Sequence, residues 1–115
     1  MIDIPEFNRN WLAAWSQKDV PKLAGFYTDD LVYLDANVPQ GLRGKADFVN
    51  YLEELFANTP PMEYIPDEIW LVQGGYFGRW YCNIEEVEQS LRGFDVVTLR
   101  DNLISYNEVY IHALK

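Results

Sequence analysis

The sequence predicts an α+β domain: three N-terminal helices packed on a strongly curved, mostly antiparallel sheet, with a cone-shaped cavity between the two layers. Three observations predict it. Apolar residues recur at helical spacing up to Ala57, and Pro60-Pro61 then ends that pattern. From Met62 to Ala113 the chain is a series of short apolar runs separated by turn signals, which is the pattern of a meander of about four strands. Helices segregated from such a meander make an α+β domain. Aromatic residues reach 16%, enough to fill a core and also line a pocket.

The elements follow in order. Asp3-Ile-Pro-Glu6 is a helix start: Asp3 caps, proline is tolerated in the first turn, and Glu6 stands three residues after the cap. Phe7, Trp11, Leu12 and Trp15 then share one face. Ser16–Asp19 breaks this helix, and Asp19-Val-Pro21 starts a short second one over Val20–Phe26. Tyr27–Asp30 runs into an apolar strand ending at Asp35, and Ala36–Gly44, with one proline and two glycines, reads as a loop. The third helix, Lys45–Ala57, turns Phe48, Tyr51, Leu52, Leu55 and Phe56 inward. Strands are expected at Met62–Val72 (bent near Pro66), Tyr76–Asn83, Gly93–Arg100 and Leu103–Ala113. Turns fall at Gln73–Gly75 and Asp101-Asn102, and Glu85–Arg92 reads as an acidic connection or as the outer ends of strands.

Length and composition bound the function. A chain of 115 residues forms one domain, 1–115, with no internal repeat or linker. The formal net charge of −9 disfavours nucleic acid and anionic membranes as partners. No apolar run approaches the roughly 20 residues of a membrane span. Met1–Glu6 lacks the basic and apolar regions of a signal peptide, so a cytoplasmic protein is expected. With one cysteine, Cys82, and one histidine, His112, neither an internal disulfide nor a Cys/His zinc site is expected, and no cofactor is implied.

Two strand-borne aspartates are the candidate chemistry. Leu31, Tyr33 and Asp35 share a strand face, so Asp35 is a carboxylate on an apolar, aromatic surface; the alternative is an aspartate capping the turn after the strand. Asp95 begins an apolar row with Val97 and Leu99, and the alternative there is pairing with Arg79, Arg92 or Arg100. Burial raises a carboxyl pKa, and two neighbouring carboxyls can split into an ionised base and a neutral acid. Arg79 shares a face with Phe77 and Tyr81, but Trp80 and Cys82 suit an interior equally, so alternation leaves its side open. On the last strand either Tyr106, Glu108 and Tyr110 or Asn107, Val109 and Ile111 face the cavity.

The whole chain resembles the nuclear transport factor 2-like superfamily, within it the SnoaL-like (polyketide cyclase-like) and steroid isomerase-like members, a cystatin-like roll. The resemblance lies in Trp11–Asp19, Leu23–Asp30, Leu34-Asp35, Gly44-Lys45, Gly93-Phe-Asp95, Leu99–Ile104 and Asn107–Tyr110. It implies that Asp35, nine residues before Gly44, is a general base, and that Asp95 is a protonated partner donating to a developing enolate. Two tyrosines of the steroid isomerase-like pattern fall on Trp11 and Leu52. An indole N–H is no acid and leucine donates nothing, so steroid isomerisation itself is not implied. Resemblance to epoxide hydrolase members implies an Asp35–Arg79–Asp95 set if Arg79 faces inward.

The function expected is a cofactor-independent enzyme of isomerase, cyclase or epoxide-hydrolase type acting on a small apolar molecule. Asp35, Asp95 and Arg79 would carry the chemistry, and Trp11, Trp15, Tyr27, Tyr33, Leu52, Tyr81, Tyr106 and Asn107 would hold the ligand. The other readings are a non-catalytic ligand-binding or dimerisation module and an interaction adaptor of the same fold. The resemblance further implies a homodimer paired through the sheet.

Overall fold

In the computed structural model, which describes residues 2–115, the N-terminal helix α1 spans Ile4–Gln17. Met1, the first residue of the stretch read for a leader, lies outside the described residues. Asp3 caps α1 by accepting the Glu6 amide at 3.1 Å. Trp11, Leu12, Ala14 and Trp15 are its buried side, and Lys18 in the left-handed region (φ 54°) ends it. Asp19 caps α2 (Val20–Ala24) through the Lys22 amide at 3.1 Å. This helix is two residues shorter than expected, because the chain turns at Gly25-Phe26 and Tyr27 already pairs with Ile104.

Strand β1 is Tyr27–Leu34, so it starts four residues before Leu31. Its polar stretch Thr28-Asp29-Asp30 hides this start from an apolar-run reading. The expected loop contains a two-residue strand, β2 (Leu42-Arg43), paired antiparallel with β1. Gly44, at φ 90°, then leads into α3 (Lys45–Ala57), whose Phe48 and Leu52 are fully buried.

The remaining chain is β3 (Met62–Val72), β4 (Gly75–Ile84), β5 (Val87–Arg100) and β6 (Leu103–Ala113). The β3–β4 register shifts between Pro66 and Ile69, where proline offers no amide to the ladder. Strand β5 absorbs most of the acidic stretch from Glu85, leaving Glu85-Glu86 as the turn, with Glu85 at φ 56°. Asp101 and Asn102, both at positive φ, make the last hairpin turn.

The six strands form one curved, unclosed sheet in the order β2-β1-β6-β5-β4-β3. Strands β3 to β6 are an antiparallel meander, and β1 joins β6 in parallel. The three helices cover its inner face. Register assigns that face to Tyr76, Gly78, Trp80 and Cys82 of β4, to Gly93, Asp95 and Val97 of β5, and to Asn107 and Val109 of β6. Among the described residues, no helix is long and apolar enough to cross a membrane.

Candidate functional site

Between α1, α3 and the inner sheet face lies a cavity of about 130 Å³, lined by aromatic side chains and by both Asp35 and Asp95. The exposed Asn37 and Ile111 mark its open end, and Leu12, Trp15 and Trp80 its interior.

Asp95 is 3% exposed and forms no ion pair with any arginine. Its Oδ2 accepts the Trp80 indole N–H at 2.5 Å, and its Oδ1 accepts the Asn107 side-chain amide at 2.9 Å. Burial pushes its carboxyl up to about 7, while the Asn107 and Trp80 donors pull the other way. A polar relay continues behind it. Asn107 Oδ1 accepts the Tyr27 hydroxyl at 2.9 Å, and that hydroxyl accepts the Trp11 indole N–H at 3.2 Å. All four residues of this relay beyond Trp80 are nearly or wholly buried, so its geometry is fixed by packing on every side.

Trp80 reaches Asp95 because β5 leaves it room. A Cβ on Gly93 would stand 2.0 Å from Trp80 Cζ2, so only glycine permits the indole to lie across that strand. Trp80 also packs edge-on against Tyr64, with ring centroids 4.9 Å apart.

Asp35 follows directly on β1 and does two things. Its Oδ1 accepts the backbone amides of Asn37 (2.8 Å) and Val38 (3.2 Å), which is the turn-capping alternative. Its Oδ2 accepts the hydroxyls of Tyr33 (2.7 Å) and Tyr51 (2.5 Å), which ties the carboxylate to the cavity wall. Four hydrogen-bond donors surround it, two backbone amides on one oxygen and two phenol hydroxyls on the other. Burial and the hydrogen bond to Asp35 push the Tyr51 phenol up to about 12, so Tyr51 stays a donor.

Several expected site residues lie elsewhere. Arg79 projects from the outer sheet face, pairs with Asp67 at 2.7 Å and stands over Trp70, so no Asp35–Arg79–Asp95 set is assembled. The reason is parity: Trp80 takes the inward position, which sends Arg79 and Tyr81 outward. Tyr106 is likewise on the outer face, where its hydroxyl donates to Glu108. Leu52 is fully buried in the core and does not line the cavity. Trp11, Tyr27 and Asn107 sit behind Asp95 rather than at the cavity surface, while Trp15 and Tyr33 line it.

Sequence reasoning left out Tyr51, Tyr64 and Trp80 as site residues. The pairing of Gly93 with Trp80 was the available signal for the last, but it acquires meaning only with the strand register. A second, open groove of about 700 Å³ runs over the outer face beside Arg79, Phe94, Tyr110 and His112. Its lining includes Asp35 but not Asp95, so the smaller cavity is the one that both aspartates line.

Comparison with known proteins identifies the family and the fold. A family model described as a SnoaL-like domain matches residues 8–107. No curated protein matches the chain. Among solved structures, a SnoaL-like protein of unknown function from Burkholderia thailandensis superposes with TM-score 0.83 at 15% identity, over 96% of this chain and 94% of the other. A protein with a ketosteroid isomerase-like fold from Catenulispora acidiphila, in complex with trimethylamine, gives TM-score 0.79 at 15% identity, over 97% and 88%. An NTF2-like protein of unknown function from Cytophaga hutchinsonii gives 0.73 at 11%, over 97% and 92%. At these identities the likeness is one of fold.

Proposed function

The chain belongs to the SnoaL-like domain family, and from that premise we propose that it is a small-molecule enzyme of the isomerase or cyclase type, using Asp35 and Asp95 for acid–base chemistry without a cofactor. The observation that carries this reading is that both carboxyls line one aromatic cavity, one of them held by four hydrogen-bond donors at its mouth and the other buried. Asp35 is the base: it takes a proton from carbon next to a carbonyl, releasing one of its four donors as it does so. Asp95, held near neutrality in its pKa, is the acid that donates to the oxygen on which charge develops. The outward Arg79 gives no support to an epoxide-hydrolase set, so that chemistry is not part of the proposal.

The test is solvent-deuterium exchange at the α-carbon of small cyclic ketones, followed by NMR. Exchange in the presence of the protein is expected to fall by about 10²-fold or more in Asp35→Asn. Unchanged exchange in that variant, with the fold intact, would remove Asp35 from the chemistry. One observation favours a second reading, a non-catalytic binding pocket. Asp35 already accepts four hydrogen bonds and anchors its own loop. Saturable ligand binding without any exchange would establish that reading instead.

We also place a second copy of the chain on the outer sheet face. Trp70 (41% exposed), Val72 (42%) and Tyr110 (57%) are apolar or aromatic groups left open there. The same face carries both charge signs, Arg79 and Arg92 beside Asp67 and Glu108, so a two-fold copy can meet it with complementary charges. Trp70→Glu is expected to convert a dimer to monomer in sedimentation equilibrium; a wild-type monomer at tens of micromolar would sink the assignment.

A further inference from the structure

We propose that the ligand of the inner cavity carries a small tertiary or quaternary alkylammonium group, held by an arc of aromatic rings that has a carboxylate at each end. The inference rests on the reading of that cavity as the ligand site and names the chemistry of what fills it.

The arc is continuous. Tyr51 packs on Tyr33 (5.7 Å between centroids), Tyr33 on Trp15 (6.3 Å), Trp15 on Tyr64 (6.1 Å) and Tyr64 on Trp80 (4.9 Å). Phe56 extends it at the side, 5.7 Å from Trp15 and at 89° to it. Asp35 stands at the first end, bonded to the Tyr33 and Tyr51 hydroxyls. Asp95 stands at the other, bonded to Trp80. The rings offer electron-rich faces at several angles to a space of about 130 Å³, which is small for a drug-sized ligand and suited to a trimethylammonium-sized head.

An uncharged alkyl group would use the ring surfaces alone. It would supply no counter-charge to Asp35 and would leave the ionised form of Asp95 disfavoured by burial. An alkylammonium uses both features: cation–π attraction to the rings and Coulomb attraction to Asp35, and its charge in the cavity favours release of the Asp95 proton, so that the second carboxyl becomes a counter-charge as it binds. The Asp95 oxygens each accept one hydrogen bond, so an N–H of a tertiary ammonium has a lone pair to meet. One cation of the protein already lies at this wall. The Lys18 ammonium stands 6.0 Å over the Phe56 ring, and its donors go to Thr59 O (2.6 Å), Thr59 Oγ1 (3.0 Å) and Phe56 O (3.4 Å). It is tied to that end of α3 and compensates neither aspartate, since it forms no ion pair. The net charge of −9 favours the approach of cations over anions.

The experiment compares choline with 3,3-dimethylbutan-1-ol, its uncharged isostere, on the wild-type protein at about 150 mM salt, where exposed charges are screened. Binding is read from the Trp80 indole N–H resonance and by calorimetry. Choline is expected to bind about tenfold or more tighter than the alcohol, to move the Trp80 signal, and to weaken by about tenfold in Asp95→Asn. If the alcohol binds as well as choline, the alkylammonium inference falls while the cavity stands as a site for apolar molecules. If neither binds, both the inference and the cavity reading fall. If choline binds without moving the Trp80 resonance, it is held by surface charge and the inference is overturned.

Discussion

Between about pH 4 and about pH 8, the wild-type protein is expected to lose about 4 kcal/mol of stability relative to Asp95→Asn. Asp95 is wholly buried, and its folded carboxyl sits at about 7 against an ordinary value of 3.8. Below the lower value both folded and unfolded chains hold the proton, and Asp95 adds no pH dependence. Between the two values the folded chain keeps a proton that the unfolded chain has released, so stability falls as pH rises, by about 1.4 kcal/mol per unit. Above about 7 both are ionised and the difference levels off at about 4 kcal/mol. Other carboxyls titrate in the same range, so the quantity to measure is the difference between the two proteins in denaturant midpoint across pH. A flat difference would show that Asp95 is solvated or ionised throughout, and the acid assigned to the cavity would be lost with it. A core that served folding alone would gain from replacing such a group, which is a reason to look for its use in chemistry.

Gly93→Ala is expected to destabilise the protein by about 3 kcal/mol, a large effect for one methyl group. The added carbon would lie 2.0 Å from Trp80 Cζ2 and 2.2 Å from Cε2. No rotation of a methyl avoids that contact, so the indole must move, and its hydrogen bond to Asp95 goes with it. The diagnostic is the double variant. Trp80→Phe shortens the ring that clashes, so Gly93→Ala in that background is expected to cost well under half as much, with unfolding by urea as the measurement. Additive effects of the two substitutions would mean that the glycine is required by its backbone rather than by the indole.

These residues also show why part of the site was legible in the sequence and part was not. Helix starts were readable because their physics is local: Asp3 and Asp19 each cap the third amide beyond, as their spacing from Pro5 and Pro21 implied. Asp35 was readable as the strand's last inward residue, and its turn-capping alternative also holds, since its two oxygens face different ways. The direction of β4 was not readable. Phe77 and Tyr81, on the face of Arg79, and Tyr76, Trp80 and Cys82, on the other face, both suit an interior by residue type. What decides is cross-strand room, supplied by Gly93 opposite Trp80, a relation that exists only once the register is set. That is why alternation left the side of Arg79 and Tyr81 open, and the same ambiguity on β6 left Tyr106 and Asn107 as alternatives until the register decided between them. Tyr51 belonged to an evident core helix, and nothing short of three dimensions shows that its hydroxyl reaches Asp35.

The parallel pairing of β1 with β6 governs how the chain must fold. Every other strand pair joins neighbours in sequence across a short connection, whereas Tyr27 finds Ile104, and Tyr33 finds Asn107, only across most of the chain's length. Such long loops are slow to close, and their entropy must be lost before the contacts are gained. As the chain leaves the ribosome, α1, α2, β1 and α3 emerge with their apolar sides exposed. α1 finds β3 and β1 finds β2 earlier, but β1 has no parallel neighbour until Leu103–Ala113 supplies the strand on which it lies. The helical half is therefore expected to be the aggregation-prone intermediate of synthesis. Completion of the sheet waits on β6, and a chain stalled before it holds Asp35 and Asp95 apart in an unformed site.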